Sequence, residues 1–135
     1  MTKLLDASAV VKFILEDEDG GVERIFDNQV LDLTFYEAGN SFWKAAALQD
    51  RISEDDAEDA ANILDDLREE VEVIRVKNLN LEKIMEIALE EEITYYDSSY
   101  IAGAEEKDVP LVTQDGELSK NAEKYVEVEK IGTGV

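Results

Sequence analysis

The sequence predicts an α/β protein, a three-layer α/β/α sandwich around a parallel five-stranded sheet. Three observations predict it. Short apolar runs alternate with longer amphipathic stretches almost throughout the chain. There is no internal repeat, no low-complexity linker and one proline in 135 residues, so one domain over residues 1–131 with a short tail at 132–135 is expected. The stretch from Thr94 to Asp115 places a helix before a very short apolar run that ends near an acid. That is a common layout for the site of an α/β protein, where ligands collect at the carboxyl ends of strands.

The elements follow in order. Leu4-Leu5 reads as a buried strand ending in Asp6. Val10, Val11, Ile14 and Leu15 then recur at helical spacing over Ser8 to about Glu16, with Ser8 placed to cap. Asp17 to Gly21 is a turn, and Val22, Ile25 and Phe26 mark a second short helix. Val30, Leu31 and Leu33 form a strand. Thr34 opens a helix to about Gln49, whose residues Glu37, Asn40, Ser41 and Lys44 share one polar stripe. Phe35, Ala38, Phe42, Ala45 and Ala46 are its packing face.

Ser53 caps the next helix, with Ala57, Ala60, Ala61, Ile63, Leu64 and Leu67 inward. Val71 to Val76 alternates as a strand. Leu79 or Asn80 opens a helix to about Glu92, with Leu81, Ile84, Met85, Ala88 and Leu89 inward. Asp97 heads a helix carrying Tyr100, Ile101 and Ala104, and Asp108 and Pro110 stop it. Leu111 to Thr113 is a strand, Glu117 to Lys124 a short helix, and Val126 and Val128 a last strand ending near Ile131.

Composition removes whole classes of chemistry. The chain has no cysteine and no histidine, so disulfides, thiolate sites, His-ligated zinc and Ser-His-Asp triads are out. Any metal ligand must be an oxygen, which selects hard cations such as Mg²⁺ or Mn²⁺. The net charge is −21, which opposes broad electrostatic attraction to nucleic acid but leaves room for a local basic patch. Asp6 and Lys12 interrupt the N-terminal apolar run, and no stretch is long and apolar enough to span a membrane. A soluble cytoplasmic protein is expected.

Four acids stand where chemistry can use them: Asp6 at a strand end, Glu37 on a helix, Asp97 at a helix start and Asp115 after a strand. Crowded carboxylates cannot all stay ionised without a counter-charge, and a divalent cation supplies one. Each acid also has a simpler reading. The chain holds 34 acids, and most exposed acids are solvated charges. Asp97 can be a helix cap, Asp115 before Gly116 a turn residue, and Glu37 part of a solvated face. Asp6 is the hardest to dismiss, because the run before it is too apolar for a surface.

The segments LLDASAVV, FYEAGNSFWKA, TYYDSSYIAGA and LVTQDGELSKNA resemble, in order and spacing, the four motifs of PIN-domain ribonucleases, most of all the VapC-type toxins of toxin–antitoxin pairs. The resemblance spans residues 4 to about 122. It implies a PIN-like fold and a Mg²⁺- or Mn²⁺-dependent endoribonuclease. By motif match, Asp6, Glu37, Asp97 and Asp115 are the metal-binding acids. Ser8, Asn40 and Thr113 match polar residues that support them, although Ser8 can equally cap and Thr113 equally pack. The resemblance also implies RNA as substrate, a homodimer, and an antitoxin, a small DNA-binding protein whose tail covers the site. Tyr36, Trp43, Tyr95 and Tyr96 are candidates for the partner surfaces, with core packing the first reading of Trp43.

The chain departs from the family pattern twice. It is strongly acidic where such toxins often carry basic residues; Lys12, Lys44 and Lys120 lie near motif acids in sequence, with a surface charge the first reading of each. A further acid often follows the third one, but here Ser98, Ser99 and Tyr100 follow Asp97. Rival folds fit less well. A haloacid dehalogenase-type phosphatase needs a second Asp where Ser8 stands, a receiver domain needs an acid pair at the first strand, and no P-loop run is present. The non-enzymatic alternative is a catalytically inert PIN-like module that binds protein partners.

Overall fold

The computed structural model describes residues 2–16 and 20–131. Part of the turn expected at Asp17–Gly21, and the tail expected at 132–135, lie outside the described residues. Five strands form one parallel sheet: β1 (Leu4–Leu5), β2 (Gln29–Leu31), β3 (Glu72–Ile74), β4 (Leu111–Val112) and β5 (Val128–Glu129), in the order β3-β2-β1-β4-β5. Among the described residues, seven α-helices connect them: α1 (Ala7–Leu15), α2 (Gly21–Phe26), α3 (Leu33–Ala47), α4 (Glu54–Glu70), α5 (Leu81–Glu91), α6 (Tyr95–Lys107) and α7 (Gly116–Ala122).

Strand side chains alternate between the two faces, and that alternation builds two cores. Leu5, Val30 and Val112 pack with α1 to α4 on one face. Leu4, Leu31 and Leu111 pack with α5, α6 and α7 on the other. The three-layer α/β/α sandwich expected from the sequence is therefore present. Among the described residues, no helix is long and apolar enough to cross a membrane.

Several boundaries differ from the sequence reading. Leu33 belongs to α3 rather than to β2, because Asp32 caps the helix through its own side chain (Oδ1 to Leu33 N–H, 3.0 Å). β3 is shorter than Val71–Val76: Val71 ends α4, and Val76 starts a 3₁₀ turn at Val76–Asn78. On α5 the buried stripe is Ile84, Ile87 and Ala88, so Leu81, Met85 and Leu89 do not point inward; Leu89 is 72% exposed. That helix carries two adjacent apolar stripes, and the sheet takes only one. Ala61 is exposed, so the buried face of α4 is Ala60, Leu64 and Leu67. Trp43 is 55% exposed rather than a core residue, while Tyr95 is half-buried against the α5–α7 core.

The helix that carries the third acid is also the best buried. Every residue of α6 from Ser98 to Ala104 is buried. Gly103 brings α6 against the sheet: an added Cβ would meet Leu4, Leu79 and Leu31 side chains at 3.4–3.5 Å. A larger side chain there would lever the helix away from the strands.

Candidate active site

β1 runs straight into α1 without a loop, so the acid at the strand end is also the helix cap. Asp6 has extended backbone and its Oδ1 accepts the Ala9 N–H at 2.9 Å. Ser8, expected as a cap, lies inside the helix and does something else. Its hydroxyl donates to Asp6 Oδ1 at 2.7 Å and accepts the Gln114 N–H at 2.8 Å. Thr113, fully buried, donates to Asp6 Oδ2 and accepts the Asp115 N–H at 3.0 Å. β1 and β4 are neighbours, and these two hydroxyls tie the end of one to the loop after the other. Asp6 and Asp115 thus meet at the same carboxyl edge, as the sheet order requires.

Asp115 caps α7, its Oδ1 accepting the N–H groups of Glu117 (2.9 Å) and Leu118 (3.1 Å). Asp97 is not the cap of α6. Thr94 is, accepting the Asp97 N–H at 3.0 Å, and Asp97 stands in the first helical turn. Glu37 lies half-buried on α3 and does not share the solvation of its stripe partners Asn40, Ser41 and Lys44, which are exposed. Its Oε1 accepts the hydroxyl of Tyr100 at 2.7 Å. The Tyr100 oxygen is 2.9 Å from Thr34 Oγ1. With the tyrosine proton committed to Glu37, Thr34 must be the donor in that second bond. Asn40 makes no hydrogen bond to an acid among the described residues; with Leu33, Tyr36, Glu37 and Tyr96 it lines a small groove.

The carboxyls also sense one another. Burial pushes Asp6 up to about 6 from its ordinary 3.8; the bonds from Thr113, Ser8 and Ala9 hold it back, and the charge of Asp115 adds to the rise. Burial raises Glu37, the Tyr100 hydroxyl opposes, and Asp97 raises it further. Burial raises Asp97, with Asp115 and Glu117 adding to it and Thr94 opposing. Burial, Glu37 and Asp6 all push the Tyr100 hydroxyl up, so it stays protonated and a donor. The charged neighbours behind the three carboxyl shifts are acids alone. Glu37, Asp97, Asp115 and Asp6 form a chain of like charges drawn from four separate parts of the sequence.

Three participants are absent from the sequence reading. Tyr100 reads there as packing, yet its position three residues after Asp97 puts both on one side of a helix. Thr34 reads only as a helix start. Glu117, exposed on α7, adds its charge to the rise of Asp97, although no acid follows Asp97 closely in the sequence. Ser98 and Ser99 bond to the carbonyls of Ile84 and Tyr95 and do not stand in for such an acid.

The profile of the PIN domain matches residues 3–124, a span that includes all four acids. The chain belongs to the PIN-domain family. It is 32% identical over 128 residues to the Pyrobaculum aerophilum protein named exonuclease VapC9, covering 95% of this chain and 91% of that one. It is 31% identical to ribonuclease VapC3 of the same organism, covering 93% of this chain and 95% of that one. A crystal structure of a P. aerophilum protein superposes with a TM-score of 0.73 at 31% identity, covering 95% of this chain and 89% of that one. At 16% identity, two DNA-bound VapBC complexes share the PIN fold. The one from Rickettsia felis gives a TM-score of 0.69 and the one from Salmonella typhimurium 0.70, each covering 96% of this chain and 98% of theirs.

The donor set of this PIN domain suits a hard cation, being all oxygen. Among the described residues no three acids stand close enough to grip one ion together. Mg²⁺ does not need that, since it keeps several waters and takes one or two carboxylates directly. The acids fit an ion held partly through water. The Tyr100–Glu37 bond gives a first test. Tyr100→Phe leaves Thr34 and Glu37 without their shared partner and is expected to cost about 1–2 kcal/mol, read as a lower melting temperature.

Proposed function

We propose that this PIN-domain protein is a Mg²⁺- or Mn²⁺-dependent endoribonuclease, the toxin of a toxin–antitoxin pair acting in the cytoplasm. The observation that carries the reading is the chain of like charges Glu37–Asp97–Asp115–Asp6 along one carboxyl edge of the sheet. Those four acids are the proposed metal site, one or two of them binding an ion directly and the others through its waters. The metal, when bound, supplies a water of lowered pKa and neutralises charge that builds on the phosphodiester. Ser8 and Thr113 fix the Asp6 carboxylate through both of its oxygens. Tyr100 fixes one oxygen of Glu37. Asn40, exposed on the groove beside Glu37, is placed to meet substrate rather than to orient an acid. Hydrolysis adds the water oxygen to phosphorus and breaks one phosphorus–oxygen ester bond, leaving a phosphate end and a hydroxyl end.

The nuclease names of the two VapC relatives support this reading, and the VapBC complexes support an antitoxin partner. Exposed Trp43, in a groove between α3 and α4 with Ile52 and the acids Asp50, Glu54 and Glu58, offers such a partner a surface. The exposed stripe of Leu81, Met85 and Leu89 on α5 offers one to a second copy of the chain.

One relative is named an exonuclease and the other a ribonuclease, so the test must separate end-trimming from internal cutting. A circular single-stranded RNA does so, because it has no ends. Incubated with Mn²⁺, the circle is expected to open, and EDTA or Asp97→Asn is expected to prevent it. Trimming of linear RNA with the circle intact would assign exonuclease action instead. No cleavage of either with Mn²⁺ present would favour the inert binding module.

A further inference from the structure

The carboxyl edge of the sheet is acidic at its centre and basic at one end. β3 is the outer strand beyond β2, and Arg75 follows its last residue as Asp6 follows β1. Two strand spacings separate β3 from β1, and the register sets Arg75 one residue beyond the level of Asp6, toward the face covered by α3 and α4. Lys77 lies in the 3₁₀ turn just beyond. With Arg68 of α4, these residues line a groove of about 840 Å³ whose wall includes Phe35 and Tyr36.

Arg75 and Lys77 are exposed, and neither forms an ion pair among the described residues. They share this with Lys44, Arg51, Lys83, Lys107 and Lys120; what sets the two apart is that both line one groove. Lys12, by contrast, pairs with Glu16 at 3.5 Å, and Arg68 pairs with Asp65 at 2.5 Å. Two acids share the groove, and both are engaged: Asp65 pairs with Arg68, and Asp32 Oδ1 accepts the N–H groups of Leu33 (3.0 Å) and Val76 (3.1 Å), the second bond pinning the turn that carries Lys77. Tyr36 links the two regions. It lines the basic groove and also the smaller one beside Glu37, and it is 83% exposed. Tyr96, 61% exposed, stands across that smaller groove, next to Asp97 in sequence.

We propose that single-stranded RNA runs from the acidic centre across Tyr36 and Tyr96 and is held by its phosphates at Arg75 and Lys77, with Arg68 in support. The proposal rests on the nuclease reading and says how the substrate is positioned. A protein of charge −21 repels a polyanion at long range. Local cations without internal partners overcome this at close quarters, and exposed aromatic rings accept bases whatever their sequence. An acidic protein segment would also be drawn to the cations, but it would not need the aromatic rings or the shared edge with the acids.

The test uses the full chain with Asp6→Asn, to stop cleavage, and a fluorescein-labelled single-stranded RNA of about a dozen nucleotides. Anisotropy is read at several KCl concentrations. Adding Arg75→Gln and Lys77→Gln is expected to weaken binding about tenfold or more and to lower the salt slope by about 1.4, roughly 0.7 per lost phosphate contact. Tyr36→Ala is expected to weaken binding about tenfold with the slope unchanged. Lys107→Gln, at the far end of α6 from Asp97, should change neither. Unaltered affinity and slope in the double variant would overturn the proposal and turn the groove over to an acidic protein segment. So would an Asp6→Asn protein that binds no RNA. If circular RNA is cut by wild type and by the double variant with equal KM, the groove assignment fails while the nuclease reading stands. If binding falls as expected but nothing is ever cut, the nuclease reading fails and the RNA groove stands.

Discussion

Asp6→Asn is expected to cut Mn²⁺-dependent RNA cleavage on the order of a thousandfold and yet to raise the melting temperature of the metal-free protein. The two effects share one cause. Asp6 is 3% exposed, and burial holds its carboxyl at about 6 against an ordinary 3.8. At neutral pH the folded protein therefore keeps a charge that it would rather neutralise. A gap of about two pKa units corresponds to roughly 3 kcal/mol. Asparagine has the same size and no charge. Its oxygen can still accept from Ala9 and Ser8, and its amide can donate to Thr113. Some of the charged hydrogen bonding is lost, so a net gain of about 1–2 kcal/mol is expected, or several degrees for a chain of this size.

The pH dependence gives the sign independently. The folded carboxyl titrates above the unfolded one, so its contribution to stability is complete below 3.8 and is lost as pH rises through about 6. The difference between the asparagine variant and wild type should be absent near pH 3.5 and open between pH 4 and 7. Thermal melts in EDTA at those values measure it. A variant that melts below wild type at pH 7.5 would mean that the bonds from Ser8, Thr113 and Ala9 outweigh the cost of burying the charge.

The sequence carried the layers, the sheet and the four acids, because each has a local signature. Leu4-Leu5 and Leu111-Val112 are too apolar to lie anywhere but between two layers of helices. Acids at strand ends are legible once the strands are placed. The misses are of another kind. Which stripe of α5 faces inward depends on the surface it meets, since Ile84-Ile87 and Leu81-Met85-Leu89 are equally apolar from the sequence. Trp43 sits at helical spacing from Ala46 and beside Phe42 yet falls beyond the edge of the core. Tyr100 looked like packing because a buried tyrosine nearly always is packing. Its hydroxyl acquires a role only when α3 and α6 cross at Glu37, 63 residues away in sequence. Ser8 reads as a cap because its position in the sequence does not reveal that β1 enters α1 without a loop. The basic groove at Arg68, Arg75 and Lys77 joins α4 to the end of β3, and nothing in the spacing of those residues marks it.

Mn²⁺ added to metal-free wild type at pH 7.5 is expected to raise the melting temperature by roughly 10 °C when the ion is at about 100 times its Kd. The gain should begin to shrink as pH falls below about 6, where Asp6 takes up its proton, and be lost well to the acid side of it. Glu37 and Asp97 are displaced upward as well and titrate in support. The sign follows from competition, since only the ionised carboxyl holds the ion and binding expels protons. The same acid therefore acts in opposite directions in the two forms. Acidification relieves the metal-free protein of a buried charge, and it strips the metal-loaded protein of its ion. Curves of melting temperature against pH, with and without Mn²⁺, should converge on the acid side and diverge above about 6. General screening of a −21 chain would also give some stabilisation by any divalent ion, so K⁺ at matched ionic strength is the reference. Glu58→Gln, an exposed acid on α4, should leave the divergence intact. Asp97→Asn should remove most of it, because Asp97 is the carboxyl linked by charge to both Glu37 and Asp115. Equal divergence in the two variants would mean that the ion is held by the acidic surface at large, and that the carboxyl edge of the sheet has no special claim on it.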